Sequence, residues 1–357
     1  MSLLLSNSTS NYKVSCNPNY DFSKGKDDLE RLLKCKIANV KFLAGDGSDR
    51  TYYRVFDEKN TAVAVIMRVS DADNAAIIKG TYDWITICSL LQQNLLLSPK
   101  ILGAVPSINA LVIQDFGDCI LEKFVESSNW ATTGKIYKTA IDTIFQMISI
   151  QPNQKQIWSS RSFDQRKLSE ELRFFEKHYL NETLGLRLNA DDKKLFDEEI
   201  IKLGQFLGDF SKYFVHRDFH SRNIIITQNK IGLIDFQDAR LGPVSYDIVS
   251  LIFDPYVKFD FKNRLEFSGY FKALLKNKEM EYEFDATFKP MALQRGLKAI
   301  GSFGYLTSIK KRGDYLKYVP EALNCLLNLD VYDNRWPFIS DTLIQKLKKL
   351  NHDHFSR

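Results

Sequence analysis

Residues 216–223 read HRDFHSRN, and a further aspartate, Asp235, follows in GLIDFQDA at residues 232–239. Two histidines, two arginines, an aspartate and an asparagine are packed between the short apolar runs YFV and IIIT, both with strand character. Charged groups so placed are costly to bury unless each finds a partner or a ligand. Packing alone is a poor reason for such a knot, and a polar ligand is the better one.

Around that segment lie 357 residues, more than one hydrophobic core usually supports, so two lobes with a cleft between them are expected. Apolar residues make up 44% and charged residues 26%, the balance of a soluble globular protein. No apolar run approaches the length that crosses a bilayer, and the opening MSLLL lacks the charged and small-residue features of a signal peptide, so no membrane partner is expected. The cysteines, Cys16, Cys35, Cys88, Cys119 and Cys325, form neither a CxxC pair nor a His/Cys cluster. That pattern points to reduced thiols in the cytoplasm and gives no zinc site. The net charge of +5 is modest, and the basic run QKLKKLNHDHFSR at 345–357 suits a solvated last helix. Without a helix-turn-helix or RNA-binding signature beside it, nucleic acid is not an expected partner.

Residues 1–25 are polar and Ser/Asn-rich and read as a loose leader. Residues 26–116 read as a small mixed lobe: strands over Val40–Leu43, Thr51–Phe56 and Ala62–Val69, one long helix over Ala72–Leu97, and two more strands around a turn at Pro106–Asn109. Residues 117–357 read as mainly helical, with helices over 136–150, 163–180, 191–210, 244–253, 261–275, 285–310 and 315–329, interrupted by a strand pair at 224–227 and 230–235. The class is α+β.

The knot has the spacing His-Arg-Asp, four residues, Asn, which is that of a phosphoryl-transfer loop, and Asp235 ends a following strand ahead of Phe236. An aspartate facing a hydroxyl accepts its proton and aims its oxygen at the γ-phosphorus, while an asparagine and a second aspartate hold the magnesium ions. Asp218 is therefore the expected catalytic base and Asn223 and Asp235 the expected metal ligands. The plainer account is a polar turn in which His216 and Arg217 satisfy backbone carbonyls; three spaced matches in the right strand context favour the catalytic one. The turn AGDGSDR at 44–50 adds Gly45 and Gly47 for close backbone approach, the Ser48 hydroxyl and the Arg50 cation, a set suited to phosphate oxygens and equally ordinary in a hairpin.

LAGDGSDRTYYRV, LVIQDFGD, VHRDFHSRNIII, IGLIDFQDARLGPVSYDIVSL and LQRGLKAIGSF together resemble the aminoglycoside phosphotransferase and choline kinase-like family, over about residues 40–331. Within it, FQDA with QRGLK is most similar to the anomeric sugar kinases, which phosphorylate N-acetylmuramic acid and N-acetylglucosamine at the C1 hydroxyl. The resemblance implies a protein-kinase-like bilobal fold, a small five-stranded sheet lobe and a larger mainly helical lobe, with ATP and Mg2+ as cofactors and adenine against Gln114, Asp115 and Phe116. It also implies that Asp247, with His216, supports the catalytic loop. One departure stands out: related kinases carry a strand-three lysine paired with a helix glutamate, whereas here Met67 occupies the lysine place among the nucleotide-binding positions and 72–97 contain no Glu. Arg50, Arg54 and Arg68 are the candidate replacements, and strand alternation should turn Arg68 away from Met67. A pseudokinase that binds nucleotide without transfer is the rival class, and the intact trio of base and metal ligands argues against it.

On the acceptor side a small-molecule hydroxyl is expected. His220 and Arg222 lie within the loop and can reach an acceptor or tie the loop to its neighbours. By the resemblance, Glu171 falls where sugar kinases carry a substrate-side Glu, and a carboxylate accepts well from sugar hydroxyls. Arg295 and Lys298, three apart on one helix face, can attract an anionic group or pair with acids. Aminoglycosides or choline are the alternative acceptors; the acidic run EMEYEFD at 279–285 can serve such a ligand, although such a run is more often a solvated loop.

Overall fold

The computed structural model describes residues 20–45, 50–153, 156–227 and 230–355, with side chains as far as 350. The chain forms two compact units: residues up to Ile120 with Asn223–Asp238, and Leu121–Arg222 with Ala239 onward.

The first unit is built on an antiparallel sheet of order β1-β2-β3-β5-β4, with β1 at Ile37–Ala44, β2 at Thr51–Asp57, β3 at Ala62–Arg68, β4 at Ile101–Val105 and β5 at Ala110–Ile113. Alternation sends Tyr53, Val55, Ala64, Ile66 and Val112 into a core with Leu29 of α1, Lys26–Leu33. Tyr52, Arg54, Val65, Met67 and Leu111 therefore take the opposite face, since Tyr52 pairs with Met67 and Met67 with Leu111. The expected turn between the last two strands is a 3-10 turn, Pro106–Ile108, followed by Asn109 at φ 51°, a left-handed value that asparagine tolerates.

The single helix expected over 72–97 is two, α2 at Asp71–Lys79 and α3 at Asp83–Gln93. Ser70 starts α2 by accepting from the Asp73 N–H at 3.1 Å, and Gly80 at φ 69° ends it, returning its own N–H to Ile77 O. Apolar spacing survives across that break, which is why periodicity alone merged the two.

The hairpin of Ile224–Thr227 with Lys230–Leu233 groups with this first unit, not with the helical part to which residues 117–357 were expected to belong. Its backbone explains the grouping: Leu233 N–H donates to Leu97 O at 2.8 Å and Ile226 N–H to Cys119 O at 2.7 Å. Gly232 permits the close approach of the Phe116 ring, which would lie 2.8 Å from a Cβ at that position.

The second unit is mainly helical: α4 Leu121–Glu126, α5 Trp130–Ile148, α6 Gln165–Phe175, α7 Ala190–Gly208, α8 Tyr246–Ile252, α9 Phe261–Leu274, α10 Lys278–Ser308, α11 Val319–Leu329 and α12 Leu343–Phe355. Leu168, Leu172 and Phe175 of α6 form an apolar stripe that joins Leu203 of α7 and Leu297 and Ile300 of α10 in one core. α10 comes so close that a Cβ on Gly301 would meet the Phe175 Cα at 2.6 Å. α6 does not run on to Leu180 as one helix; it opens into a π-turn at Glu176–Asn181. α10 begins seven residues earlier than expected, at Lys278 instead of Asp285, because Asn277 caps it by accepting from the Met280 N–H. The acidic run 279–285 is thus helical, and its buried Glu283 accepts from Lys212 and from the Tyr213 hydroxyl, each at 2.6 Å. The YFV run forms the strand its character suggested, Tyr213–Val215, paired with Arg240–Gly242, a partner that was not anticipated; it leads directly into the HRD segment.

Candidate active site

Asp218 lies in the second unit, directly after the strand Tyr213–Val215 and a left-handed Arg217 at φ 82°. A β-carbon in that conformation costs on the order of 1 kcal/mol, so the turn needs holding. Asp247, in the first turn of α8, does so: its carboxylate accepts from the backbone N–H groups of His216 at 2.6 Å and Arg217 at 3.1 Å. Burial pushes the Asp247 carboxyl up to about 7, against the pull of those two donors and of Arg295. A second buried carboxylate, Asp254, accepts from the Ser221 N–H at 2.8 Å and the Tyr256 N–H at 2.9 Å and pins the far side of the loop. Asp254 went unnoticed in the sequence, although an acid inside the apolar run LIFDP was the available signal.

The Asp218 carboxylate is 2% exposed and faces a basic set. Lys298 Nζ of α10 donates to it at 3.0 Å, Arg295 of the same helix face lies at 3.9 Å, and Arg217 Nε at 4.0 Å. Burial pushes this carboxyl up, but Lys298 and then Arg217 and Arg295 outweigh it and hold it well below the ordinary carboxylate range. Glu171 of α6 joins the same set, buried, accepting from Gln294 Nε2 at 2.9 Å and standing 3.8 Å from Arg217. Burial raises its carboxyl as well, and Lys298, Arg217 and Gln294 bring it below its usual value. One turn before Glu171, Lys167 is brought down to about 8 by burial and by Arg217. Lys298 falls below its ordinary value through burial and Arg295, with Asp218 and Glu171 opposing. Lys167 and Gln294 were not singled out from the sequence: a lysine and a glutamine on a helix carry no signal until the packing is known.

The structure thus brings Glu171, Arg295 and Lys298 together with Asp218. It places the other two loop candidates differently. Arg222 pairs with Glu122 of α4 at 2.7 and 2.8 Å, donates to the Tyr318 hydroxyl at 2.8 Å and lies 3.6 Å over the Tyr256 ring. His220 is buried beside Tyr256, and burial, reinforced by Arg295 and Lys298, keeps its imidazole well below the usual range and hence neutral.

In the first unit, Asn223 and Asp235 bracket the hairpin. Because Ile224 pairs with Leu233, and Ile234 N–H donates to Asn223 O at 3.2 Å, both residues stand at the same end of that ladder. Asp235 is left-handed at φ 62°, accepts from Gln237 Nε2 at 2.9 Å and stands 3.9 Å from Arg50. A carboxylate and a carboxamide oxygen are hard donors that suit Mg2+, which completes its shell from phosphate and water. Among the described residues no group of three or more His, Cys, Asp or Glu forms a separate metal cluster.

Gly45 closes β1, whereas Gly47 and Ser48 lie outside the described residues. Met67 is fully buried on the sheet face it shares with Tyr52 and Arg54. Gln114 exchanges backbone contact with Lys100, donating its N–H to Lys100 O at 2.8 Å. Asp115 chelates Arg54 at 2.6 and 3.0 Å and also accepts from Gly117 N–H, while Asp118 takes the third Arg54 nitrogen at 2.7 Å. Phe116 lies over Gly232.

A five-stranded antiparallel sheet unit and a larger helical unit carrying an HRD loop define a kinase-like fold of the small-molecule phosphotransferases. Solved structures agree: aminoglycoside phosphotransferase APH(2'')-Ib with ADP superposes with a TM-score of 0.58 at 16% identity, over 85% of this chain and 97% of that one. Choline kinase LicA from Streptococcus pneumoniae gives 0.56 at 13% identity, over 85% and 97%. The chain belongs to the phosphotransferase enzyme family, whose model matches residues 39–275. Among curated proteins, an N-acetylmuramate/N-acetylglucosamine kinase from Neisseria meningitidis serogroup B is 26% identical over 311 residues, 85% of this chain and 89% of that protein. Its namesake from Pseudomonas putida is 29% identical over 216 residues, 57% of this chain and 60% of that protein. The family resemblance drawn from the motifs is borne out. No helix among the described residues is long and apolar enough to cross a membrane.

Proposed function

We propose that this protein transfers the γ-phosphoryl group of ATP to a hydroxyl of an amino sugar of the N-acetylmuramate/N-acetylglucosamine type, at the anomeric position. One observation carries the choice of acceptor: Asp218 is surrounded by an excess of cations. Lys167, Arg217, Arg295 and Lys298 gather with Glu171, Asp218 and an Asp247 carboxyl that titrates at about 7. Such surroundings repel a polycationic aminoglycoside or a quaternary amine and suit a neutral sugar or one with a lactyl carboxylate. The names of the curated relatives agree with that choice.

In this reading Asp218 is the base. Its depressed ionisation makes it a weak one, matched to an acidic proton. An anomeric hydroxyl is more acidic than an ordinary alcohol because the ring oxygen withdraws electron density, so the weak base and the acceptor suit each other. Lys298 and Arg295 hold the carboxylate ionised and oriented, and Glu171 accepts hydrogen bonds from sugar hydroxyls. Asn223 and Asp235 hold Mg2+, which neutralises phosphate charge when bound. Asp247 and Asp254 keep the loop in shape. Since ATP is the donor, the enzyme works in the cytoplasm.

The deciding experiment measures ADP release with Mg-ATP against N-acetylglucosamine, N-acetylmuramate, their 1-O-methyl glycosides, an aminoglycoside and choline, with Asp218→Asn as the control. Turnover of the free sugars but not of the glycosides is expected. Equal turnover of the methyl glycosides would refute the anomeric assignment, and turnover of the cations alone would refute the sugar.

A further inference from the structure

The strand-three lysine of related kinases supplies positive charge to the nucleotide phosphates, and here that place is taken by the buried Met67. Among the described residues of the first unit, Arg50, Arg54 and Arg68 are the cations that are not surface-exposed. Geometry separates them. Arg68 follows Met67 and so takes the opposite face of the sheet, where its guanidinium lies 3.4 Å over the Tyr20 ring and donates to Ile108 O at 3.2 Å. Arg54 shares the Met67 face but is engaged by two carboxylates, in short bonds from three of its nitrogens. Its charge is cancelled within the protein.

Arg50 stands among other groups. It stands immediately ahead of β2, its side chain is 13% exposed, and its neighbours are the phenols of Tyr52 and Tyr82. Tyr52 is the direct cross-strand partner of Met67, which puts Arg50 beside the place the lysine has left. Its Nη2 stands 3.9 Å from Asp235 Oδ1, so this cation also faces a carboxylate assigned to the metal. A planar guanidinium reaches two oxyanions at once, where an ammonium acts as a point charge.

We propose that Arg50 carries the phosphate-binding charge that strand three lacks and links the nucleotide to the metal ligand Asp235. The proposal rests on the phosphoryl-transfer reading above. Its test does not depend on the acceptor: calorimetric affinities for ADP and for adenosine are compared in the wild type, Arg50→Gln and Arg50→Lys, with melting temperature as the fold control. Arg50→Gln should weaken ADP binding between about 10- and 100-fold, the loss expected for a charge-assisted hydrogen bond to phosphate, and leave adenosine binding within about twofold of wild type. Arg50→Lys should fall between. The proposal is overturned if Arg50→Gln binds ADP as the wild type does, or if both ligands weaken equally. Should Arg50→Gln not fold, the ADP-to-adenosine ratio of Arg50→Lys decides: an unchanged ratio overturns the proposal and a reduced one supports it. A wild type that binds ADP but phosphorylates no sugar would instead sink the proposed function and leave Arg50 to be judged on binding alone.

Discussion

Removing the Lys298 ammonium while keeping its bulk, as in Lys298→Met, should change how Asp218 titrates before it changes anything else. The Nζ to Oδ1 separation is 3.0 Å, with Asp218 buried and the Lys298 side chain 12% exposed. At an effective dielectric of about 20, Coulomb's law gives roughly 5 kcal/mol for such a pair. Arg295 and Arg217, at 3.9 and 4.0 Å, take over part of that role. A net loss of about 3 kcal/mol remains, in line with breaking a buried pair on one side. This corresponds to a change of roughly 100-fold in the ionisation equilibrium of Asp218. The sign follows from the depressed carboxyl. Its contribution to stability is present above the ordinary aspartate range and fades as pH falls through the folded value. Without Lys298 the folded value rises, so stability should drop most at neutral pH and the acid limb of kcat/KM should move upward. Initial rates of ADP release across the acidic to alkaline range, with denaturant melts alongside, measure both. Lys298→Arg should restore the acid limb. If Lys298→Met melts earlier yet keeps its acid limb in place, Lys298 is only a packing residue and the electrostatic argument fails.

Asp247→Asn keeps one acceptor oxygen where the loop presents two N–H donors, and should cost about 2 kcal/mol in denaturant melts, with kcat falling more than KM rises. The wild-type Asp247 carboxyl titrates at about 7, above its unfolded value of about 4, so its ionisation costs stability as pH rises between the two. A pH series of melts should show that slope reduced in the asparagine variant. Gly301→Ala drives a methyl to within 2.6 Å of the Phe175 Cα and should cost about 1 to 3 kcal/mol, read as a lowered Tm. Arg222→Met leaves Glu122 without its bidentate partner, and should lower stability by about 2 kcal/mol while leaving the acceptor KM unchanged. A raised acceptor KM without loss of stability would show that Arg222 meets the sugar after all.

The parts of this protein that could be read from its residues are those where chemistry forces a local spacing. The HRD loop and its asparagine lie within eight residues, and the five strands stand out as alternating or continuous apolar runs whose order of appearance needed no tertiary information. What could not be read depends on contacts made across long separations. Glu283 finds Lys212 and Tyr213 some seventy residues away, and no local pattern distinguishes it from the solvated acids beside it. Helix α2 stops at Gly80 because that residue turns left-handed, yet an isolated glycine inside a periodic run is also tolerated within helices. The hairpin at 224–233 was assigned by its place in the chain, and its backbone bonds to Leu97 and Cys119 group it with the sheet. In the candidate site the split is the same: Asp218, Asn223 and Asp235 announce themselves, whereas Lys167, Gln294 and Asp254 gain meaning only from their neighbours.

Two features of the second unit bear independently on which acceptors it accepts. The cations around Asp218 set the sign of the local potential, which a positively charged acceptor would have to overcome. The aromatic residues tell the same story by another route. Tyr256, Tyr315 and Tyr318 converge at 3.6, 5.7 and 5.1 Å on a cation, but that cation is the chain's own Arg222 guanidinium. An aromatic cage is a common way to bind a quaternary ammonium, and here its occupant is covalently attached and locked by Glu122. Displacing it would strand a half-buried carboxylate and three desolvated rings. A pair of substitutions therefore separates the two kinds of specificity: Glu122→Gln in combination with Arg222→Ala removes the internal cation and its counter-charge together, and choline affinity should appear only in that double variant. Choline bound equally well by the wild type would show that the cage does not exclude it and that the charge around Asp218 does not either.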